Sequence, residues 1–324
     1  MKIKLILWGI ILILLFTNVF QVSIGSKILS NDTIYDKELF GESFQYFSSI
    51  NFENNSVIDD LPDSFCWNNV DGKDYTTSAK DQGSIGSCWA FAANAVIESV
   101  IEIREGRPDL NPDLSEQYLI SCLPIIQEEF NVRPFYWIMD CSEDGNNCNG
   151  VVTESCFPYQ ENLDVPCSDK CSDWENYLIP ITNFTYWIPD RSPKENDEII
   201  KSLILESGPV TSLMEATFLW PSWGKIIHNP NSYFPKLPSI GRLMQKWLGL
   251  HVIVIYGWRD NPLIPSGGYW ICKNSWGTDF GYDGFFNSAY GACGIGRVYY
   301  PIDDIYVPYI GTVDYDPDDY DWPP

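Results

Sequence analysis

Gln82-Gly83-Ser84-Ile85-Gly86-Ser87-Cys88-Trp89-Ala90-Phe91 is the stretch on which the reading of this chain turns. Beyond it Trp89, Ala93, Val96, Val100 and Ile103 recur at spacings of four and three, and Gly106 supplies a stop, so the pattern predicts a core helix from Cys88 to about Glu105. Ala90, Ile97 and Ile101 make a second apolar stripe, which calls for neighbours on more than one side. A helix start offers unpaired N–H groups and positive potential, and both favour a thiolate over a thiol. Cys88 occupies that start. Glycines precede it where a substrate backbone must come close, and the neutral amide of Gln82 lies just upstream.

A nucleophilic thiol needs a base, and the chain has only 2 histidines. His228 falls in a polar, proline-containing loop and reads as a surface residue. His251 opens the strand-like run His251-Val252-Ile253-Val254-Ile255-Tyr256, and Lys273-Asn274-Ser275-Trp276-Gly277 follows on the next one. Asn274 is placed to hold the imidazole, with Trp276 shielding that bond from water. The rest of the chain reads as shorter helical pieces at Ser115 to Ser121 and about Phe135 to Met139, then a helix opened by the capping box Ser192-Pro193-Lys194-Glu195 and closed at Gly208-Pro209. Strand-like runs come later, at Val210 to Ala216, Tyr269 to Lys273 and Gly284 to Ser288. A mostly helical first half and a mostly stranded second half give an α+β fold with two lobes and a cleft between them.

Gly86-Ser87-Cys88-Trp89, His251 and Lys273-Asn274-Ser275-Trp276-Gly277 resemble the papain and cathepsin family of cysteine peptidases. The likeness extends in order to Leu114-Ser115-Glu116-Gln117-Tyr118, Thr153-Glu154-Ser155-Cys156-Phe157-Pro158-Tyr159, Gly208-Pro209-Val210 and Tyr269-Trp270-Ile271, and covers roughly Leu61 to Pro301. It implies a helical left lobe, a β-barrel-like right lobe and an interlobe active-site cleft. Cys88 is then the nucleophile, His251 its base, Asn274 the orienting residue, and Gln82 with the Cys88 N–H the oxyanion hole. Neither cofactor nor metal is implied. The expected partners are peptide or protein substrates met by a monomer, endopeptidase and exopeptidase action both remaining open. The resemblance also implies bridges Cys122–Cys167 and Cys156–Cys171; Cys141 with Cys148 can close a small loop, and Cys66, Cys272 and Cys293 stay unassigned.

The chain departs from the family in places. Ile85 stands where the pattern has a cysteine, and the preferred alignment puts Phe130 at that cysteine's partner, which predicts an Ile85–Phe130 contact. The same alignment places Val132 and Arg133 where two glycines normally pair with substrate backbone; a second alignment takes Cys148-Asn149-Gly150 as that motif instead. Leu213, Val252 and Val298 map onto the main subsite walls and predict an apolar preference at the second residue from the cleaved bond. The aromatic stretch Thr217 to Gly249, with Trp220, Trp223, Tyr233, Phe234 and Trp247, reads as a local mini-core rather than a binding site. The rival reading is a catalytically inactive binding or surface protein of the same fold.

Composition narrows the rest. With 20 basic against 44 acidic residues and a net charge of -24, the chain lacks the cations that phosphate-backbone binding needs, which excludes nucleic acid as a partner. Met1-Lys2-Ile3-Lys4 followed by the apolar run Leu5 to Phe16 and small residues near Gly25 reads as a signal peptide over 1–25, or an uncleaved signal anchor and the chain's one route to a membrane. Either sends the body out of the cytosol, to an extracellular, cell-surface or lysosome-like setting where 10 cysteines can pair. Residues 26–60 read as a short pro-segment, 61–302 as the peptidase domain and 303–324 as a solvated acidic tail.

Overall fold

The computed structural model describes residues 60–123, 150–181, 183–187, 192–215, 230–235, 250–296, 310–317 and 322. Contacts divide the chain into the units Met1–Asn55 and Ser56–Pro324, and every described residue belongs to the second. In chain order its strands are β1 Ser64–Cys66, β2 Gly150–Val152, β3 Leu178–Pro180, β4 Asn183–Trp187, β5 Val210–Glu215, β6 Leu250–Asp260, β7 Gly268–Lys273, β8 Phe285–Ala289 and β9 Ile310–Asp314; its α-helices are α1 Cys88–Glu105, α2 Glu116–Cys122 and α3 Pro193–Ser207. The outcome is α+β, with the long helix in the first half and the main sheet in the second.

Helix α1 is buried from Trp89 through Glu102, so the two apolar stripes do have neighbours on several sides: β6, β9, β5 and α2. It ends as its glycine predicts, because Gly106 adopts φ 64 and its N–H returns to the carbonyls of Glu102 and Ile103. Helix α3 starts with the expected capping box, the Ser192 hydroxyl accepting from the Glu195 N–H while the Glu195 carboxylate reaches back to the Ser192 N–H. The sheet has seven strands in the order β4-β9-β5-β6-β7-β8, with β1 added to the far end of β6. All its strand pairings are antiparallel, and a bulge between Ile255 and Gly257 shifts the β6–β7 register. Gly257 lies at the crossing of β6 with β1; a Cβ there would collide with the Phe65 carbonyl.

One expectation is overturned. Residues 303–324 do not form a solvated tail throughout, since β9 lies inside the sheet between β4 and β5 and pairs with β4 from Asn183↔Asp314 to Trp187↔Ile310. Acid density argued for solvation, but Val313 and Tyr315 are buried, the Tyr315 hydroxyl donates to Glu105 at the end of α1, and the Trp322 indole donates to Tyr315. Burial of alternate side chains outweighs the composition of their neighbours. Of the aromatic stretch only residues 230–235 are described. Phe234 is buried and bridges to Ser288, and Tyr233 stacks on Tyr269, so these two pack on the main sheet.

Both expected disulfides are present, Cys122–Cys167 and Cys156–Cys171, and they tie the segment after β2 to the end of α2 and to itself. Cys66, Cys88 and Cys272 are free thiols. Cys141, Cys148 and the Ile85–Phe130 contact lie outside the described residues, as do His228 and the apolar run near the N-terminus. No helix among the described residues is long and apolar enough to cross a membrane.

Candidate active site

Cys88 is the first residue of α1, and the helix begins without a side-chain cap: Ser87 turns its hydroxyl to that of Tyr159 instead, at 3.0 Å. The Ala90 and Phe91 N–H groups turn to the Ser87 carbonyl, which leaves those of Cys88 and Trp89 for another acceptor. Burial alone pushes the Cys88 thiol up, but the hydrogen bond and charge of His251 and the N–H groups of Val252 and Trp89 outweigh it and bring the thiol below its ordinary 9.0. The imidazole moves the opposite way. Burial lowers it, and Cys88 with Asn274 more than restores it, so His251 ends above 6.5. Each group thus favours the charged form of the other, the thiol shifted down and the imidazole up.

The pair is held from both sides. His251 sits near the start of β6, opposite Met214 of β5, and its Nε2–H donates to Asn274 Oδ1 at 2.7 Å. Because a carbonyl oxygen only accepts, that bond fixes the tautomer and leaves the other ring nitrogen for Cys88. Asn274 Oδ1 also accepts from the Ser275 N–H at 2.8 Å, which pins the amide just past the end of β7. Trp276 covers the imidazole, ring centroids 5.1 Å apart, and Phe280 meets Trp276 edge-on.

Gln82 joins the same cluster. Its N–H bonds the Ser275 carbonyl at 2.9 Å, its Oε1 accepts from the Ser275 hydroxyl at 2.6 Å, and its Nε2 donates to the Ile85 carbonyl at 2.9 Å. The last bond uses one of two N–H groups, and the loop folds over itself so that Gln82 and Cys88 share one end of α1. Leu213 and Val252 form a cross-strand pair between β5 and β6 and are both nearly buried. Val132, Arg133 and Val298 lie outside the described residues.

Beneath this cluster lies a buried polar chain that sequence reasoning missed. Lys273, the residue before Asn274, donates to the Thr77 carbonyl at 2.6 Å and to its hydroxyl at 3.0 Å; the Thr77 hydroxyl donates to Glu98 at 2.6 Å; and Glu98 meets Lys80 at 3.0 Å. Lys80 continues to Asp113, Glu116 and the Leu114 carbonyl. Burial pulls the Lys273 ammonium down to about 8, with Glu98 the strongest opposing influence. This chain joins β7 to α1 and α2 beside Asn274, the residue that holds His251. Glu98 on the buried stretch of α1, with a lysine just before the Asn-Ser-Trp motif, was its signal.

A family model described as papain family cysteine protease matches residues 61–302. Among curated proteins, the viral cathepsin of Adoxophyes honmai nucleopolyhedrovirus is 30% identical over 243 residues, covering 74% of this chain and 61% of that protein. Cysteine proteinase 3 of Entamoeba histolytica is 28% identical over 247 residues, covering 70% and 65%. The chain thus spans less than two thirds of the length of either relative. Of the solved structures, the bromelain protease from Ananas comosus in complex with the E64 inhibitor overlays with a TM-score of 0.53 at 22% identity, over 79% of this chain and 100% of that one. The procathepsin L2 proteinase from Tenebrio molitor larval midgut gives 0.54 at 22%, over 78% and 68%. At such identities the overlays speak to the fold alone.

Proposed function

Because this chain belongs to the papain family of cysteine proteases, we propose that it hydrolyses peptide bonds with Cys88 as nucleophile. The observation that carries the proposal is the hydrogen-bonded series Cys88, His251, Asn274 at the start of α1. In it the Cys88 thiolate attacks the scissile carbonyl carbon, a C–S bond forms, and the carbonyl π pair moves to oxygen. The Gln82 side-chain amide and the Cys88 backbone N–H receive that oxyanion, each donor contributing on the order of 3 kcal/mol. Collapse breaks the C–N bond, and His251 delivers its proton to the leaving amine. Water then attacks the thioester, His251 takes one of its protons, and the acid product departs as the imidazolium and the thiolate are restored. Asn274 keeps the imidazole in the plane this exchange requires.

By the resemblance, Leu213, Val252 and Val298 are assigned to the subsite for the second residue on the acyl side of the cleaved bond; all are apolar and none is able to pair with arginine. The preferred alignment assigns Val132 and Arg133 to the family's backbone-pairing positions. The N-terminal apolar run exports the chain, and 26–60 acts as a pro-segment that is removed on maturation. The test is labelling of the matured protein by an epoxysuccinyl inhibitor, with Cys88→Ala as control. A single adduct on Cys88 is expected; folded, mature protein that takes no label would remove the proposal and favour a binding protein of the same fold. A peptide library in which arginine is preferred at the second position would remove the subsite assignment alone.

A further inference from the structure

The loop from Gln82 to Cys88 carries the one side-chain oxyanion donor of the proposed mechanism, and its sequence is poorly suited to stay in place. Gly83 and Gly86 give it conformational freedom, and position 85 is isoleucine, so no cysteine within the loop other than Cys88 itself is available to tether it. Its order must come from noncovalent ties. On the strand side these are the bonds to Ser275 described above. On the opposite side they come from the short segment after the Cys156–Cys171 half-bridge. The Tyr159 hydroxyl donates to the Gln82 carbonyl at 2.7 Å, and one oxygen of Glu161 accepts from both the Ser84 N–H, at 2.6 Å, and the Ser84 hydroxyl, at 2.8 Å.

Three further features mark the Glu161 contact as built. Glu161 adopts φ 51, a left-handed conformation that is unfavourable for a residue with a Cβ and persists only where surrounding contacts hold it. Gly83 lies beneath the carboxylate end of Glu161 and adopts φ 64, a conformation that disfavours any residue with a Cβ there. Ser84 in turn holds the Glu161 carboxyl below its ordinary 4.5, first through its N–H and then through its hydroxyl, so the tie is to the ionised form. Asp81 completes the turn by accepting from the Gly83 N–H at 2.9 Å. Tyr159 is anchored by its own N–H on Glu154 and by an edge-on contact with Phe91 of α1.

We infer that Glu161 is a positioning residue for the oxyanion loop: its carboxylate clamps Ser84 and thereby fixes the Gln82 amide relative to Cys88. This rests on the peptidase reading above and adds to it a residue more than seventy positions downstream in sequence. Glu161 touches neither thiol nor imidazole. Its loss therefore weakens stabilisation of the tetrahedral oxyanion while leaving the nucleophile intact, because the depressed thiol depends on His251 and the backbone of Val252 and Trp89.

The experiment compares wild type with Glu161→Ala, Glu161→Gln and Ser84→Ala in two reactions. One is hydrolysis of a peptidyl amide, which passes through an oxyanion; the other is alkylation of Cys88 by iodoacetamide, which does not. Glu161→Ala is expected to lose about tenfold in kcat with KM moved less than about twofold, since a misplaced donor forfeits part of its worth. Glu161→Gln, which keeps an acceptor for the Ser84 N–H, recovers part of the loss, and adding Ser84→Ala to Glu161→Ala costs little more. The alkylation rate stays within about twofold of wild type throughout. Turnover by Glu161→Ala equal to wild type, or a fall in alkylation parallel to turnover, would overturn the inference and leave the peptidase reading standing. Wild-type protein that neither hydrolyses peptides nor is alkylated at Cys88 would instead remove that reading, and this inference with it.

Discussion

Glu102 lies on α1 with no exposed surface, and one of its oxygens accepts from the Asn111 N–H at 2.9 Å while the other is buried with no hydrogen-bond partner. Burial pushes its carboxyl up from 4.5 to about 7; the Asn111 N–H opposes this and the charges of Asp74 and Glu98 add to it. The folded state therefore holds this proton more tightly than the unfolded state. Stability from the group is fully present below 4.5 and is lost as pH rises through about 7. The displacement corresponds to about 3 kcal/mol between the two limits. Glu102→Gln keeps the shape and the acceptor for Asn111 but cannot ionise. Melting should be followed in a Cys88→Ala background, so that self-cleavage does not intervene. At pH 8 the glutamine variant is expected to melt roughly 5–10 °C above its parent, and at pH 4 within about a degree of it. Parallel melting curves across this range, or a variant less stable at pH 8, would refute the argument that this carboxylate is ionised at a cost.

Peptidase activity should follow a bell in pH, rising through the depressed thiol of Cys88 and falling through the elevated imidazole of His251. Since the Asn274 bond helps to raise His251, Asn274→Ala should draw the alkaline limb of the kcat/KM profile to lower pH, and an unmoved limb would count against the assigned role. Replacing both members of Cys156–Cys171, separated by 15 residues, should cost about 3 kcal/mol in denaturant unfolding, and the 45-residue Cys122–Cys167 bridge about 4 kcal/mol; equal or negligible losses would show that the reduced chain is already constrained. Removing Ile310 onward should leave β4 unpaired and make the segment around Asn183–Trp187 the first site of limited proteolysis, whereas an unchanged digestion pattern would mean that β9 is dispensable.

Much of this was legible in the residues themselves. Helix α1 announced itself through a long apolar period and a terminal glycine, and α3 through a capping box, because each signal is local and each is satisfied by its own backbone. The grouping of Gln82, Cys88, His251, Asn274 and Trp276 was legible for another reason: few residue types can do the chemistry, and the chain has very few histidines. The pairing of β4 with β9 was not legible. Short strands far apart in sequence carry no local signature, and Ile310-Gly311-Thr312-Val313-Asp314 is flanked by acids that pointed toward solvent. Nor was the chain from Lys273 through Thr77 and Glu98 to Lys80 visible, because a charged residue on a buried helix declares its partner only in three dimensions. Glu161 escaped notice likewise, its role resting on a left-handed turn and on a glycine across the gap.

The position of β9 also bears on how the molecule is made. Its place between β4 and β5 is filled only by residues that leave the ribosome after every other strand of the sheet has emerged. Until then β4 lacks the neighbour with which it forms five residue pairs, and the facing side of β5 presents unsatisfied N–H and C=O groups to whatever lies near. At a synthesis rate of about 5–20 residues per second, the stretch between β4 and β9 keeps that edge open for many seconds in each nascent chain. For that interval the emerging protein is a target for chaperones and for mispairing with its neighbours, and the arrival of one five-residue segment ends it.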